Sequence, residues 1–131
     1  MSETVRAYFE AFNRGDVAGM LACLSEDVRH HVNEGKVRIG KDAFRAFCEH
    51  MSRCYREELT DMVILKAGGG SRAAAEYIVI GTYLQTDEGL PEAHGQRYRL
   101  PAGSFFTLED RRITRVVTYY NLADWTAQVS A

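Results

Sequence analysis

The sequence has no long apolar run, no block of basic residues and too few cysteines for a disulfide framework. Each absence removes a class of protein. No stretch approaches the ~20 apolar residues that a bilayer-spanning helix needs, so no membrane partner is expected. Its 16 basic and 18 acidic residues leave a formal charge of -2, and the arginines are spread along the chain. That balance lacks the positive footprint of a nucleic-acid binder. Cys23, Cys48 and Cys54 make an odd count, and their mutual spacing is not that of metal ligands. They read as reduced thiols, with no metal site expected. The start, Met1-Ser2-Glu3-Thr4, lacks the basic and then apolar pattern of a signal peptide, so a soluble, cytoplasmic protein is expected.

What is present suffices for one domain over 1-131. Hydrophobic residues at 46% and charged residues at 26% match a chain that folds around a core. Val5, Tyr8, Phe9 and Phe12 fall at i, i+3, i+4 and i+7, one stripe of a helix. Gly15 can close it and Asp16 can cap a second helix carrying Val17, Met20, Leu21 and Leu24. Phe44, Phe47, Cys48, Met51 and Tyr55 mark a third, longer helix after Gly40. Val28 to Asn33 and Val37 to Ile39 read as short strands near an edge. Long extended segments follow: 59–66, 72–84, 96–108 and 113–120, the last two joined by Glu109-Asp110-Arg111-Arg112 as a hairpin. Gly68-Gly69-Gly70-Ser71 lacks the Lys-Ser/Thr of a phosphate loop and precedes a strand, so it is a turn.

Helices first and an antiparallel meander afterwards is an α+β pattern. A sheet covered by helices on one face curves around them, with Gly81 and Gly103 as places where bends are cheap. Such a sheet leaves a cavity.

Two segments carry a resemblance. Tyr8-Phe9-Glu10-Ala11-Phe12-Asn13-Arg14-Gly15-Asp16 with Leu24-Ser25-Glu26-Asp27-Val28 resembles the opening of ketosteroid-isomerase-like proteins, also called SnoaL-like or nuclear-transport-factor-2-like. Arg115-Val116-Val117-Thr118-Tyr119-Tyr120-Asn121-Leu122-Ala123-Asp124-Trp125 is similar to the close of a steroid-isomerase-related branch. The resemblance implies a cone-shaped, curved, mostly antiparallel sheet wrapped around three helices of the N-terminal half, a cystatin-like α+β roll. It also implies a homodimer through the outer sheet face, where Ile78 and Ile80 need cover.

In the family's isomerases an aspartate base works with a tyrosine and a protonated aspartic acid, a case the general chemistry of tuned carboxyls describes. Tyr8 matches the oxyanion tyrosine. The protonated aspartic acid falls on Gly103, which has no donor, and the base falls near Val32, with Asn33 and Glu34 alongside. Steroid isomerisation by that mechanism is therefore not expected. Cys48 stands where the family can carry a tyrosine partner and reads as a buried apolar residue.

Other candidates come from alternation. If Val28 and Val32 face inward, so does His30, while His31 points away. His30 then either handles a proton or stands as a satisfied polar group in a pocket wall. Asn33 is a ligand-orienting amide, and Glu34 a displaced base. Tyr77, Val79, Gly81 and Tyr83 share one face, as do Val116, Thr118 and Tyr120, and the resemblance makes these faces concave. Arg99, Gly103 and Phe105 share parity, with Arg99 either at the pocket mouth or exposed. A pocket lined by Phe12, Phe47, Met51 and Phe105, with tyrosine hydroxyls at intervals and Trp125 as a closing residue, suits a small apolar or amphipathic molecule bearing oxygen.

The expected function is a small-molecule pocket protein: an isomerase, cyclase or dehydratase acting by acid-base chemistry on a carbonyl compound, without a cofactor. Tyr8 would donate a hydrogen bond while His30, Asn33 or Glu34 moves the proton. The alternative is a non-catalytic binding protein of the same fold.

Overall fold

The computed structural model describes residues 2–130. The first stripe forms α1 (Ser2–Asn13), which buries Val5, Tyr8 and Phe9 against the sheet. Gly15, at φ 71°, makes the left-handed turn that a side chain would resist. Asp16 then caps α2 (Val17–Ala22), accepting from the Gly19 N–H at 2.8 Å. β1 (Leu24–Val32) and β2 (Arg38–Ile39) lead to α3 (Lys41–Cys54). β3 (Tyr55–Ala67), a turn of 3-10 helix at Gly68–Gly70, β4 (Arg72–Tyr83), β5 (Arg97–Glu109), β6 (Arg112–Tyr120) and α4 (Leu122–Ser130) complete the order.

The six strands form one curved, open sheet in the order β2-β1-β6-β5-β4-β3. All neighbours are antiparallel except β1 and β6, which run parallel. The α+β architecture expected from the sequence is present, with three corrections, the first being Leu24, which opens β1 instead of closing α2, whose last residue is Ala22. Tyr55 opens β3 opposite Tyr83 instead of closing α3, because ladder pairing and the inward alternation Tyr55, Glu57, Leu59 take over there. A fourth helix follows the sheet. In α4 only Trp125 and Val129 are buried, too short a stripe to read, and Gln128 secures it through both backbone groups of Arg99 at 2.9 Å. No helix among the described residues is long and apolar enough to cross a membrane.

Two bulges decide which side chains face inward. The β5–β6 hairpin turns at Asp110 and Arg111, both with positive φ, and pairs Leu108 with Ile113. Beyond it the register slips by one, so Thr107 pairs with Arg115 and Ser104 with Thr118. Without that slip Thr118 would lie opposite Gly103. The inward set of β5 is Tyr98, Leu100, Ala102, Ser104, Phe106 and Leu108, and Arg99, Gly103 and Phe105 lie on the outer face. The expected concave placement of those three residues is overturned: β5 keeps one unbroken alternation with the first set inward, and the extra residue in β6 brings Thr118 inward opposite Ser104. A second bulge at Asp61, φ 54°, moves the inward parity of β3 from Leu59 to Met62 and Ile64.

Gly81 is needed for a close approach. It pairs with Tyr98 across β4 and β5, and a Cβ there would collide with the Tyr98 ring. A Cβ on Gly103 would meet only the Ala75 carbonyl, at an ordinary 3.5 Å. Thermal or urea denaturation should accordingly find Gly81→Ala destabilised by about 1–3 kcal/mol, the usual cost of overpacking. Gly103→Ala should stay within about 0.5 kcal/mol of the parent. Equal effects at the two glycines would reject the packing account.

Candidate functional site

A cavity of about 1400 Å³ lies between the helices and the inner face of the sheet. Its polar groups fall into those that satisfy one another and those that do not. Tyr77, from β4, shares a hydrogen bond with Ser104 of β5 at 2.7 Å, and Ser104 shares another with Thr118 of β6 at 2.7 Å. This chain of hydroxyls crosses three strands and is closed on itself. Glu57, from β3, accepts from the Tyr98 hydroxyl at 2.5 Å. Burial raises the carboxyl pKa of Glu57, opposed by that hydrogen bond, and burial with the adjacent Glu57 pushes Tyr98 well up. At the end of α3, Tyr55 donates to Asp87 Oδ2 at 2.7 Å, while Asp87 Oδ1 sits 2.9 Å from His50 Nε2.

Tyr8 and His30 belong to the second group, with the Tyr120 hydroxyl and the Trp125 indole N–H, which also make no hydrogen bond to any described residue. The Tyr8 hydroxyl lines the cavity and makes no hydrogen bond to any described residue. Phe9, Phe44 and Phe106 surround its ring, and burial raises its pKa well above the phenol range, so it stays a donor. His30 is 4% exposed, and its Nδ1 is the one buried side-chain nitrogen or oxygen without a partner among the described residues. Phe44 lies 4.8 Å from the His30 ring and 6.3 Å from Tyr8, so the two groups flank one aromatic ring. Phe47 lies 4.7 Å from the imidazole and stacks under Arg38. Burial, then the Arg38 charge, lowers the His30 pKa to about 4, so the ring is neutral at pH 7.

The remaining expected residues divide by position. Phe12, Phe47, Met51, Tyr77, Thr118, Tyr120 and Trp125 line the cavity. Asn33, at φ 52°, lines its mouth, but its side-chain oxygen is occupied by the Tyr120 N–H at 2.9 Å. Glu34, exposed in the following turn, also lines the cavity. Tyr83 is fully buried outside the cavity wall, between Tyr55 and Trp125, with its hydroxyl donating to Pro91 O at 2.6 Å. Val116 is core. Tyr83 and Val116 face the concave side, yet other side chains cover them. Glu57, Tyr98, Ser104, His50 and Asp87 were missing from the sequence reading. Glu57 had a signal, since Tyr55-x-Glu57-x-Leu59 already alternates. Asp87 had none, because it lies in an irregular segment.

Fold and cavity define a class: a curved-sheet pocket protein with a tyrosine-rich interior. Comparison with known proteins gives the family. The model of the SnoaL-like domain matches residues 5–116, and the chain belongs to that family. Among solved structures, a "putative polyketide cyclase" of Silicibacter is 68% identical, with a TM-score of 0.97 over 99% of this chain and 95% of that one. A protein of Pseudomonas putida with the same description is 56% identical, with a TM-score of 0.95 over 97% and 96%. A protein with a ketosteroid isomerase-like fold from Catenulispora acidiphila, in complex with trimethylamine, shares the fold at 17% identity, TM-score 0.80, over 98% and 92%. No curated protein matches significantly.

The His30 pKa has a measurable consequence. In the unfolded chain a histidine binds its proton near pH 6.5; in the fold His30 does so only near 4. Between those values the unfolded state holds more protons, so stability falls as pH drops from about 6.5 to about 4. The loss from this residue is on the order of 3 kcal/mol. His30→Gln should flatten the stability curve in that window. An NMR titration placing the His30 midpoint at 6 or above would contradict the burial argument.

Proposed function

We propose that this protein uses side-chain acid-base chemistry on a small, largely apolar carbonyl compound, removing a proton next to the carbonyl so that a ring closes or a double bond moves. One observation carries the reading: an unpartnered phenol and an unpartnered neutral imidazole flank the same ring in one cavity. Tyr8 donates to the carbonyl oxygen as charge develops there, and His30 takes the proton. The Asn33 amide orients the ligand at the mouth, and Glu34 remains the proton carrier nearest to solvent. Ring closure is preferred within this class because relatives 53–68% identical carry the polyketide cyclase description.

A binding role is the second reading. It is favoured by the Tyr77–Ser104–Thr118 chain, which engages three of the cavity's hydroxyls with one another and so withholds them from a reacting oxygen. Deuterium uptake next to the carbonyl of an enolisable 1,3-diketone, followed by NMR in heavy water, separates the readings. The enzyme reading expects catalysed exchange, reduced roughly 100- to 1,000-fold in Tyr8→Phe and roughly 100-fold or more in His30→Ala. A diketone that binds tightly without exchanging selects the binding protein. Wild-type exchange rates in both variants would remove Tyr8 and His30 from the mechanism.

The same proposal includes a homodimer through the outer sheet face, in a reducing cytoplasm that suits three free cysteines. Phe105 and Tyr119 are 47% and 46% exposed there and touch each other at 6.0 Å. Leu65 lies in the same cross-strand row as Phe105 and Val63 in that of Tyr119, with Ile78 and Ile80 further along β4 opposite Pro101 and Arg99. A second copy covers such a face by the same patch. Sedimentation equilibrium at micromolar concentration should give twice the chain mass, and Phe105→Asp should give the monomer. A monomeric parent rejects the dimer.

A further inference from the structure

At the C-terminal end of α3, three groups of different chemistry meet beside the cavity. His50 and Cys54 are four residues apart on the helix and share a face. Asp87 arrives from the segment after β4. His50 Nε2 lies 2.9 Å from Asp87 Oδ1 and 3.9 Å from Cys54 Sγ. The three donor atoms all fall within 4.8 Å of one another. Asp87 is held on three sides. The Tyr55 hydroxyl donates to Oδ2 at 2.7 Å, the Asp87 N–H donates to the Tyr83 hydroxyl at 3.0 Å, and the Asp87 carbonyl accepts from the Leu90 N–H at 3.0 Å. His50 and Asp87 line the cavity, and Cys54 is buried behind them at 2% exposure.

The geometry points to a divalent-cation site of zinc type, formed by His50, Cys54 and Asp87, with its fourth position open to the cavity. The donor set is the first reason. One thiolate, one imidazole and one carboxylate suit zinc, and three protein ligands with an open position are its reactive arrangement. Distance is the second. Tetrahedral zinc holds nitrogen and oxygen ligands roughly 3.4 Å apart, and sulfur and nitrogen roughly 3.6 Å apart. Separations of 2.9 and 3.9 Å are near those values, and the Cys54–Asp87 separation, within 4.8 Å, closes to them by rotation of the Cys54 side chain toward Asp87. Support around the site is the third: Tyr55 occupies Oδ2, leaving Oδ1 for the metal, as outer partners of metal ligands do.

On binding, the Cys54 thiol releases its proton to solvent, and the imidazole proton resides on Nδ1. A thiolate and a carboxylate then balance the two positive charges of the cation. Counted by cysteines alone the sequence has no metal spacing; His50-x-x-x-Cys54 supplies one. Six residues separate Phe44 from His50, roughly 9 Å along the helix axis. Phe47, against the His30 ring, is only three positions before His50, so the open position lies in the same cavity toward the C-terminal end of α3, where it would take water or an oxygen or nitrogen of the ligand. Metal binding here does not depend on the proposed reaction.

The test is a titration of the metal-stripped protein with Co(II), followed by Zn(II). One equivalent of Co(II) should give a near-ultraviolet thiolate-to-cobalt band with tetrahedral visible bands, all displaced by Zn(II). Cys54→Ser should lose the thiolate band. Tyr55→Phe should bind zinc roughly 10- to 100-fold more weakly, and His50→Ala more weakly still, with circular dichroism reporting that each variant is folded. Absence of the thiolate band in the parent protein would overturn the site, as would unchanged zinc affinity in both Cys54→Ser and His50→Ala. The cluster is then a hydrogen-bonded network and nothing more.

Discussion

Polar groups on the inner wall of the sheet lose water when the chain folds, and each then needs a partner within the protein. An unpaired buried hydroxyl or carboxyl costs on the order of 1–3 kcal/mol. This constraint organises the interior. Tyr77, Ser104 and Thr118 satisfy one another across three strands, Glu57 is met by Tyr98, and Asp87 is shared between Tyr55 and His50. Partners meet only because their strands are in a particular register. A slip of one residue in β5 would remove Tyr98 from Glu57 and Ser104 from Tyr77 together. The hydrogen bonds and the register therefore hold each other in place.

Groups outside that accounting gain meaning from it. Among the described residues, the Tyr8 and Tyr120 hydroxyls and the His30 Nδ1 have no partner in an interior where most polar groups have one. An unpaired buried polar group calls for an explanation, and a ligand in the cavity would supply the bond that the Tyr8 hydroxyl lacks. Apolar rings around Tyr8 and His30 hold the phenol protonated and the imidazole neutral at pH 7. A donor and a neutral base suit proton transfer next to a carbonyl. The side of the cavity at the C-terminal end of α3 is different in character, with a carboxylate, an imidazole and a thiol gathered there. One cavity thus has two chemically distinct sides, joined by an aromatic wall that includes Phe44, Phe47 and Tyr120.

Gly81 illustrates how packing reaches the chemistry. Its missing side chain lets the Tyr98 ring lie across β4, and that placement delivers the Tyr98 hydroxyl to Glu57. Trp125 of α4 then packs edge-on against Tyr55, Tyr83 and Tyr98, closing the aromatic cluster from the other side. A glycine in mid-strand, a late helix and a buried carboxyl are one arrangement.

The sequence by itself determined the elements whose signals are local. Helical stripes fixed α1 and α3, Gly15-Asp16 fixed the α1–α2 corner, and alternation fixed the inward faces of β4 and β6. It also put Tyr8 and His30 on the interior side, since both sit on short-period patterns a reader can follow. Tertiary structure alone decided the register of β5 against β6, because a bulge near Thr114 shifts it by one and moves the inward parity of β6 from Ile113 to Val116 and Thr118. It decided the end of α3 as well, where pairing with Tyr83 draws Tyr55 into a strand. Asp87 was invisible for a related reason: the partners that hold it, Tyr55 and Tyr83, and the His50 beside it come from a helix and two strands. Periodicity records which side of its own element a residue faces. Which residues from different elements share a space depends on register and packing, and those exist only in the folded chain.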